Sequence, residues 1–512
     1  MTTPRVDRRT VLQGAVLGSL LAGCTTAGSR DVGASPRGST PSSVGSPSPS
    51  RSTGTPVGSP PTDSAWRALA AGLDGDLVRP EDADYGEAKE LFNPRWDAVH
   101  PLAVVEATTA EDVSEAITFA LRHSLDVRPK SGGHSYVGAS AVTGGIVVST
   151  SRMAGVQYDA PAGTAAVGAG ARLYEVHAAL DAQGRTIPTG TCPTVGATGL
   201  TVGGGLGIAS RQYGLTCDQL DGAVVVTADG VIRTVDADTD PDLLWVLQGG
   251  GGGNFGIVTQ LRYSTQPTAS LGFFLLSFPW SGAAAVVRGW SSRITAMPLS
   301  TWANLHLEAG SDGSTQARVV GVCAAGAETA EAQALEAAVG VDASSTSLFT
   351  KTYLDGVQFL GGGTSSSRQG WAAGSDVLPT MTTPASQALV QVIANRAASG
   401  QSGVAILDPL TGAVQHRAPG ASAFPWRRHL ASIQWYLDVP SSPTTEQLSA
   451  AYDWIATAHA AVSSLSVGGY VNYLEPRRPV ASYYGGNLAR LQAVKRAYDP
   501  HGFFSSPYAI PS

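Results

Sequence analysis

An α+β fold built from two packed units is what three features of the sequence predict. Short β-rich runs alternate with single helices up to about residue 268. Beyond it, strand runs followed by helices give the pattern of an antiparallel sheet covered by helices on one side. The chain of 512 residues, 43% hydrophobic and 14% charged, is long enough for two or three compact units with a sizeable core.

The first element is a targeting segment. Arg8 and Arg9 precede an apolar stretch, Val11 to Gly23, which is shorter than the ~20 residues a spanning helix needs. Residues 1–23 therefore read as a signal peptide whose paired arginines resemble a twin-arginine signal. "LAGC" (Leu21 to Cys24) resembles a lipoprotein box, in which Cys24 is lipidated. The expected location is extracytoplasmic, with contact to the membrane surface through Cys24 only. Residues 24–63 follow as a Ser/Pro/Gly linker without periodicity, expected to stay disordered because such a composition buries too little surface to fold.

The body opens at residue 64, and its first unit is expected to span 64–268. "AVVEATTAEDVSEAITFALRHS" predicts a strand and then a helix, opened by Thr109 with Asp112 three residues on, a capping-box pattern. Val113, Ile117, Ala120 and Leu121 are expected on its buried face. "GGIVVST" predicts a strand, and "VVVTADGVIRTV" a hairpin turning at Asp229-Gly230. Over 269–467 the runs "FFLLSFPW", "WANLHLEA" and "ARVVGVCAAG" predict strands and "TAEAQALEAAV" a helix. Residues 468–512 are again aromatic and polar and are expected to return to the first unit.

Composition narrows the function. A formal net charge of -7 lacks the basic footprint that nucleic acid requires. No C-x-x-C pair or His-x-x-x-His spacing occurs, so no metal site is expected. Setting Cys24 aside leaves Cys192, Cys217 and Cys323, an odd number that implies a role other than a disulfide for one of them. Cys217 and Cys323 read either as small hydrophobes or as a mutual disulfide.

Three glycine-rich stretches carry the functional signal: "SGGHSYVG" (131–138), "GTCPTVGATGLTVGGGLG" (190–207) and "GGGGGNFG" (249–256). Such loops present unobstructed backbone N–H groups that can cradle a pyrophosphate, so a dinucleotide is the natural ligand class. The third contains G-x-G-x-x-G, but it follows the helical "DLLWVLQ" and precedes the strand "IVTQLRY", the reverse of a nicotinamide-binding fingerprint. A serine-hydrolase elbow also fails, because Val137 stands where Gly133-His134-Ser135-Tyr136 would need a glycine.

"RPKSGGHSYVGAS", "GTCPTVGATGLTVGGGLGIASRQYGLTCDQL", "GGNFGIVT" and "YVNYLEP" with "YYGGNLARLQAVKRAYDPHGFF" occur in that order and resemble the berberine bridge enzyme branch of the vanillyl-alcohol-oxidase-type FAD oxidases. The resemblance covers residues 90–268 and 468–512 by motif. It implies a two-domain PCMH-type FAD-binding fold plus a substrate domain, and an FAD attached twice, by His134 to the 8α carbon and by Cys192 through sulfur to C6. That double attachment accounts for the odd cysteine. In the same way it assigns cofactor contacts to Ser131, Gly132, Gly133 and Ser135, and to Val195, Gly196, Gly199, Gly203, Gly204, Gly205 and Gly207. Asn254, Gly256, Ile257, Val258 and Asn472 complete the set.

The family's Y-x-N-Y motif stands here as Tyr470-Val471-Asn472-Tyr473. The resemblance implies that Tyr473 is the base, with Tyr470 as the alternative. A phenol of pKa ~10 needs cationic or hydrogen-bonding neighbours to serve in that role. Tyr136 and Gln434 are expected on the substrate side of the flavin. Trp426 in "FPWRRHL" departs from the family's "FPHR"-like turn. Val195 coincides with a position that gates oxygen, and a small residue there implies an oxidase that uses O2 and releases hydrogen peroxide. The implied reaction is oxidation of a CH–OH group, with a mono- or oligosaccharide as first candidate. Trp302, Trp371, Trp426 and Trp435 could stack on sugar faces or form aromatic core. Alternatives are an alkaloid, polyketide or aromatic alcohol on the same fold, or a lipid-anchored binding protein without turnover.

Overall fold

The computed structural model of the protein describes residues 60–511. The signal segment, Cys24 and most of the linker lie outside the described residues. Thr62 caps the first described helix, Asp63–Gly72, by accepting the Ala65 N–H.

The strand Ala103–Glu106 leads into the helix Ala110–His123, and the Thr109/Asp112 capping box is formed. Val113, Ile117 and Ala120 are buried, whereas Leu121 is 45% exposed and Ala116 lies on the buried face in its place. Eight residues at 100° each carry position 121 about 80° round from position 113, off the apolar stripe. The helix belongs with a four-stranded sheet of Asp76–Val78, Ala103–Glu106, Ile146–Ser149 and Val127–Lys130, in that spatial order. A five-stranded antiparallel sheet follows, containing the expected hairpin of Leu220–Val226 and Ile232–Asp236. Gly230 at its turn has φ +78°, a conformation that favours glycine.

The larger sheet is antiparallel throughout and has seven strands. Their spatial order is Ser345–Lys351, Leu271–Phe278, Thr315–Ala324, Trp302–Ala309, Gly403–Pro409, Ala431–Asp438 and Trp371–Leu378. Helices Ala283–Ala296, Glu328–Val339, Thr383–Ala398 and Thr445–Val462 cover one face, with Trp290, Leu305, Leu389, Trp435 and Ile455 in a shared core. Because side chains alternate along a strand, Trp302, Asn304 and His306 emerge on the opposite face. Ile406 and Asp408, and Gln434 and Tyr436, join them there as lining of one cavity.

The last residues return to the first body. Val471, Tyr484, Leu491 and Ile510 share a core with Val202 and Phe255. Lys495 Nζ donates to the Asn254 carbonyl at 2.6 Å, and Ile510 N–H donates to the Asn254 side chain at 3.0 Å.

Cys217 and Cys323 are buried in separate cores and form no disulfide, so they pack as small hydrophobes. Trp435 is fully buried beneath the helices, donating to Asp376 at 2.8 Å, and Trp426 is buried with its indole on the Gly469 carbonyl at 2.9 Å. Neither presents a ring to solvent, while Trp302 and Trp371 line the cavity.

Candidate active site

A cavity of about 390 Å3 runs between the glycine loops and the uncovered face of the large sheet. Its construction starts with a glycine contact. A Cβ on Gly132 would stand 2.2 Å from the Gly196 nitrogen, and one on Gly196 would stand 2.3 Å from Ser131 Oγ. Only hydrogen at both positions lets the two loops touch, and that contact brings the loop carrying His134 against the loop carrying Cys192.

His134 is fixed on two sides. Its ring stacks on Phe92, centroids 3.9 Å apart, and its Nε2 lies 3.0 Å from the Thr194 hydroxyl. Burial, with Arg172 nearby, lowers its pKa to about 3. The imidazole is therefore neutral at physiological pH and keeps a nitrogen lone pair for bonding. Cys192, two residues before Thr194, is half-buried and lines the same cavity, as does Val195.

Of the other residues assigned to the cofactor, Ser131, Gly132, Gly133, Ser135, Gly196, Gly199, Gly207, Asn254, Gly256, Ile257, Val258 and Asn472 all line the cavity. Gly203, Gly204 and Gly205 do not; they form a layer behind it. A Cβ on Gly203 would collide with Asn472 Oδ1 at 1.9 Å, and Gly205 N–H donates to the Tyr470 hydroxyl at 2.8 Å. Gly203 and Gly204 make room for the Y-V-N-Y segment, and Gly205 lies close against Thr216.

The opposite wall holds the tyrosines. Tyr136 and Tyr473 stack almost parallel, centroids 5.2 Å apart and planes 7° apart, and Gln434 Nε2 donates to the Tyr136 hydroxyl at 2.5 Å. Tyr470 meets Tyr473 edge to face at 4.9 Å. Its hydroxyl accepts hydrogen bonds from Gly205 N–H and Asn472 Nδ2, each at 2.8 Å. The hydrogen-bonding neighbours expected around the base thus converge on Tyr470, while Tyr473 stands half-buried at the cavity wall. Burial, reinforced by Tyr136, Asp408 and Tyr470, pushes the Tyr473 phenol well above its ordinary pKa.

Asp408 is a site residue that the sequence reading missed. It lines the cavity from strand Gly403–Pro409, and burial raises its carboxyl to about 6 despite the opposing Asn304 side chain. The only sign of it in the sequence is one carboxylate in the apolar run "AILDPL". His306, two positions from Asn304, is buried and lowered to about 3 by desolvation and Arg318, so it is neutral too. The charged side chains lining the cavity are Arg128 and Lys130 on the loop side and Asp408 on the sheet side.

Comparison with known proteins matches residues 101–236 to an FAD binding domain and residues 469–511 to a "berberine and berberine like" segment. The FAD-linked oxidoreductase YgaK of Bacillus subtilis is 30% identical over 457 residues, covering 86% of this chain and 97% of that protein. A xylooligosaccharide oxidase of Thermothelomyces thermophilus is 30% identical over 454 residues, covering 82% of this chain and 88% of that protein. Among solved structures, the xylooligosaccharide oxidase of Myceliophthora thermophila in complex with xylobiose superimposes with a TM-score of 0.76 at 26% identity, covering 88% of this chain and 99% of that one.

Proposed function

Because this chain belongs to the berberine-bridge-enzyme-like family of FAD-linked oxidoreductases, we propose that it oxidises a CH–OH group of a neutral mono- or oligosaccharide, with FAD attached through both His134 and Cys192. The observation that carries this reading is the cavity itself, which joins the two attachment residues to a wall of uncharged polar and aromatic side chains. Apart from Asp408, the sheet side offers Trp302, Asn304, neutral His306, Gln434 and Tyr436. Such a wall suits a polyol, which presents many hydroxyls, no net charge and a flat face for stacking.

The residues present fit FAD, since the Gly132–Gly196 contact and the backbones of Gly251, Gly252 and Gly253 form a cradle that larger side chains would fill. When bound, FAD supplies the acceptor for the substrate's hydride. The protein's own task is the hydroxyl proton. Above pH ~6 the Asp408 and Tyr473 pair carries one negative charge and so has room for one proton. Tyr136, held by Gln434, stacks against Tyr473 and keeps its ring in place.

Peroxide release on xylobiose and on N-acetylglucosamine oligomers, set against aromatic alcohols and a tertiary amine, tests the substrate class. Oxidation of the aromatic alcohols or the amine alone would overturn the sugar reading. Attachment is checked on the purified protein: acid precipitation should leave the yellow in the pellet, and intact mass should show one added FAD. In His134→Ala or Cys192→Ala one bond should remain, and the double variant should release its flavin into the acid supernatant.

We also propose O2 as electron acceptor. Val195 lines the cavity next to the Cys192 loop, so Val195→Leu should slow air reoxidation of the photoreduced protein by about ten-fold or more, roughly 1.4 kcal/mol in the barrier. Reduced wild type that persists in air would point to a different acceptor.

A further inference from the structure

Away from the cavity, a buried charge cluster joins three elements: the strand Trp371–Leu378, the helix Thr445–Val462 and the segment that follows Tyr473. His459, on the helix, places Nδ1 2.6 Å from Asp376 Oδ2 and Nε2 2.7 Å from Glu475 Oε2. Both carboxylates are almost fully buried. Asp376 also accepts from the Trp435 indole at 2.8 Å and from Ser466 Oγ at 2.5 Å, and the Arg478 guanidinium approaches it to 3.3 Å.

The cluster sits where the Y-V-N-Y segment is grasped. On the strand, Val377 N–H donates to the Gly468 carbonyl at 2.8 Å, before the motif. Ser375 Oγ accepts the Tyr470 N–H at 2.9 Å, within it. His459 and Arg478 then bind Glu475 and the strand just after it. Buried ion pairs are seldom better for stability than apolar packing of the same volume, so the retained charges are better explained by the geometry they impose.

We propose that His459 is a positioning residue: its imidazolium, held between Asp376 and Glu475, fixes the segment carrying Tyr470 and Tyr473 to the substrate sheet, and loss of its proton releases that segment. The groups facing the ring are Asp376 from the strand, and Glu475 and Arg478 from the C-terminal segment. On its own helix, Asp453 is engaged at the surface with Arg477. Burial disfavours the charge, but the hydrogen bonds to Asp376 and Glu475 outweigh it and raise His459 to about 9. A raised histidine contributes stability fully present below its unfolded pKa of ~6.5, and the contribution is lost as pH rises through about 9.

The test uses the FAD-loaded protein, without any sugar. Melting temperature and the visible circular dichroism of the bound flavin are followed from pH 6 to 10 in wild type, His459→Gln and Glu475→Gln. Wild type should show a fall in melting temperature and a change in flavin dichroism with one midpoint near pH 9. His459→Gln should melt a few degrees lower at pH 7 and lose both steps. Glu475→Gln, which removes one partner's charge while keeping the side chain's size and an oxygen able to accept from His459, should shift the midpoint about one unit lower. An unshifted midpoint in Glu475→Gln, a persisting step in His459→Gln, or a melting step with no change in flavin dichroism would overturn the proposal.

Discussion

Tyr473→Phe is expected to lower kcat by about 10²- to 10⁴-fold, the usual worth of a group positioned for general acid–base catalysis, while flavin content and melting temperature stay near wild type. The separation of effects follows from the stacking. Tyr473 holds its place through ring contacts with Tyr136 and Tyr470, and removing one oxygen leaves both intact. Anaerobic bleaching of the flavin by the sugar identified in the peroxide screen measures the step directly. Tyr470→Phe is the control. Its hydroxyl accepts from Gly205 and Asn472, so its loss should loosen the segment and cost kcat less than Tyr473→Phe does. A larger loss in Tyr470→Phe would transfer the base role to Tyr470.

Asp408→Asn should reduce kcat by about 10²-fold or more and abolish the acid limb of the pH profile. In wild type the rate should rise as pH passes about 6, where the buried carboxyl ionises. The stability effect has the opposite sign. A carboxyl raised by burial binds its proton more tightly in the folded state than in the unfolded chain. Its stabilising contribution is present at low pH and lost as pH rises through about 6. At pH 8 the Asn variant should therefore melt higher than wild type, and at pH 4 the difference should shrink. A variant that is both slow and less stable at pH 8 would mean that Asp408 is a structural carboxylate.

The glycine-rich loops carrying His134 and Cys192 were legible because runs of glycine are a local signal. Gly133 takes φ +71°, a demand written in the residues around His134, whereas the Gly132–Gly196 contact joins loops 64 positions apart and became visible only in the fold. The strands and the Thr109 cap were legible for the same reason, since alternation and capping are short-range patterns. Trp302 and Trp435 show the limit. Both lie on strands of one sheet, and only the helices over one face decide that Trp435 is core and Trp302 lines the cavity.

Asp408 and His459 lie beyond that limit. Asp408 follows Leu407, which the register pairs with Leu305, and that register sets it on the same face as Asn304 and His306. His459 gains its partners from residues 83 positions before it and 16 after it. The sequence by itself determined the α+β class and the glycine-rich loops, because alternation and φ preference are properties of short segments, and through the resemblance of its motifs it marked His134 and Cys192 as candidate attachment residues. Only the tertiary structure decided which carboxylate faces the tyrosines, which glycines stand one layer back and what holds the Y-V-N-Y segment. Those outcomes depend on burial and on charge across contacts between distant residues, where desolvation and pairing are set by the whole fold.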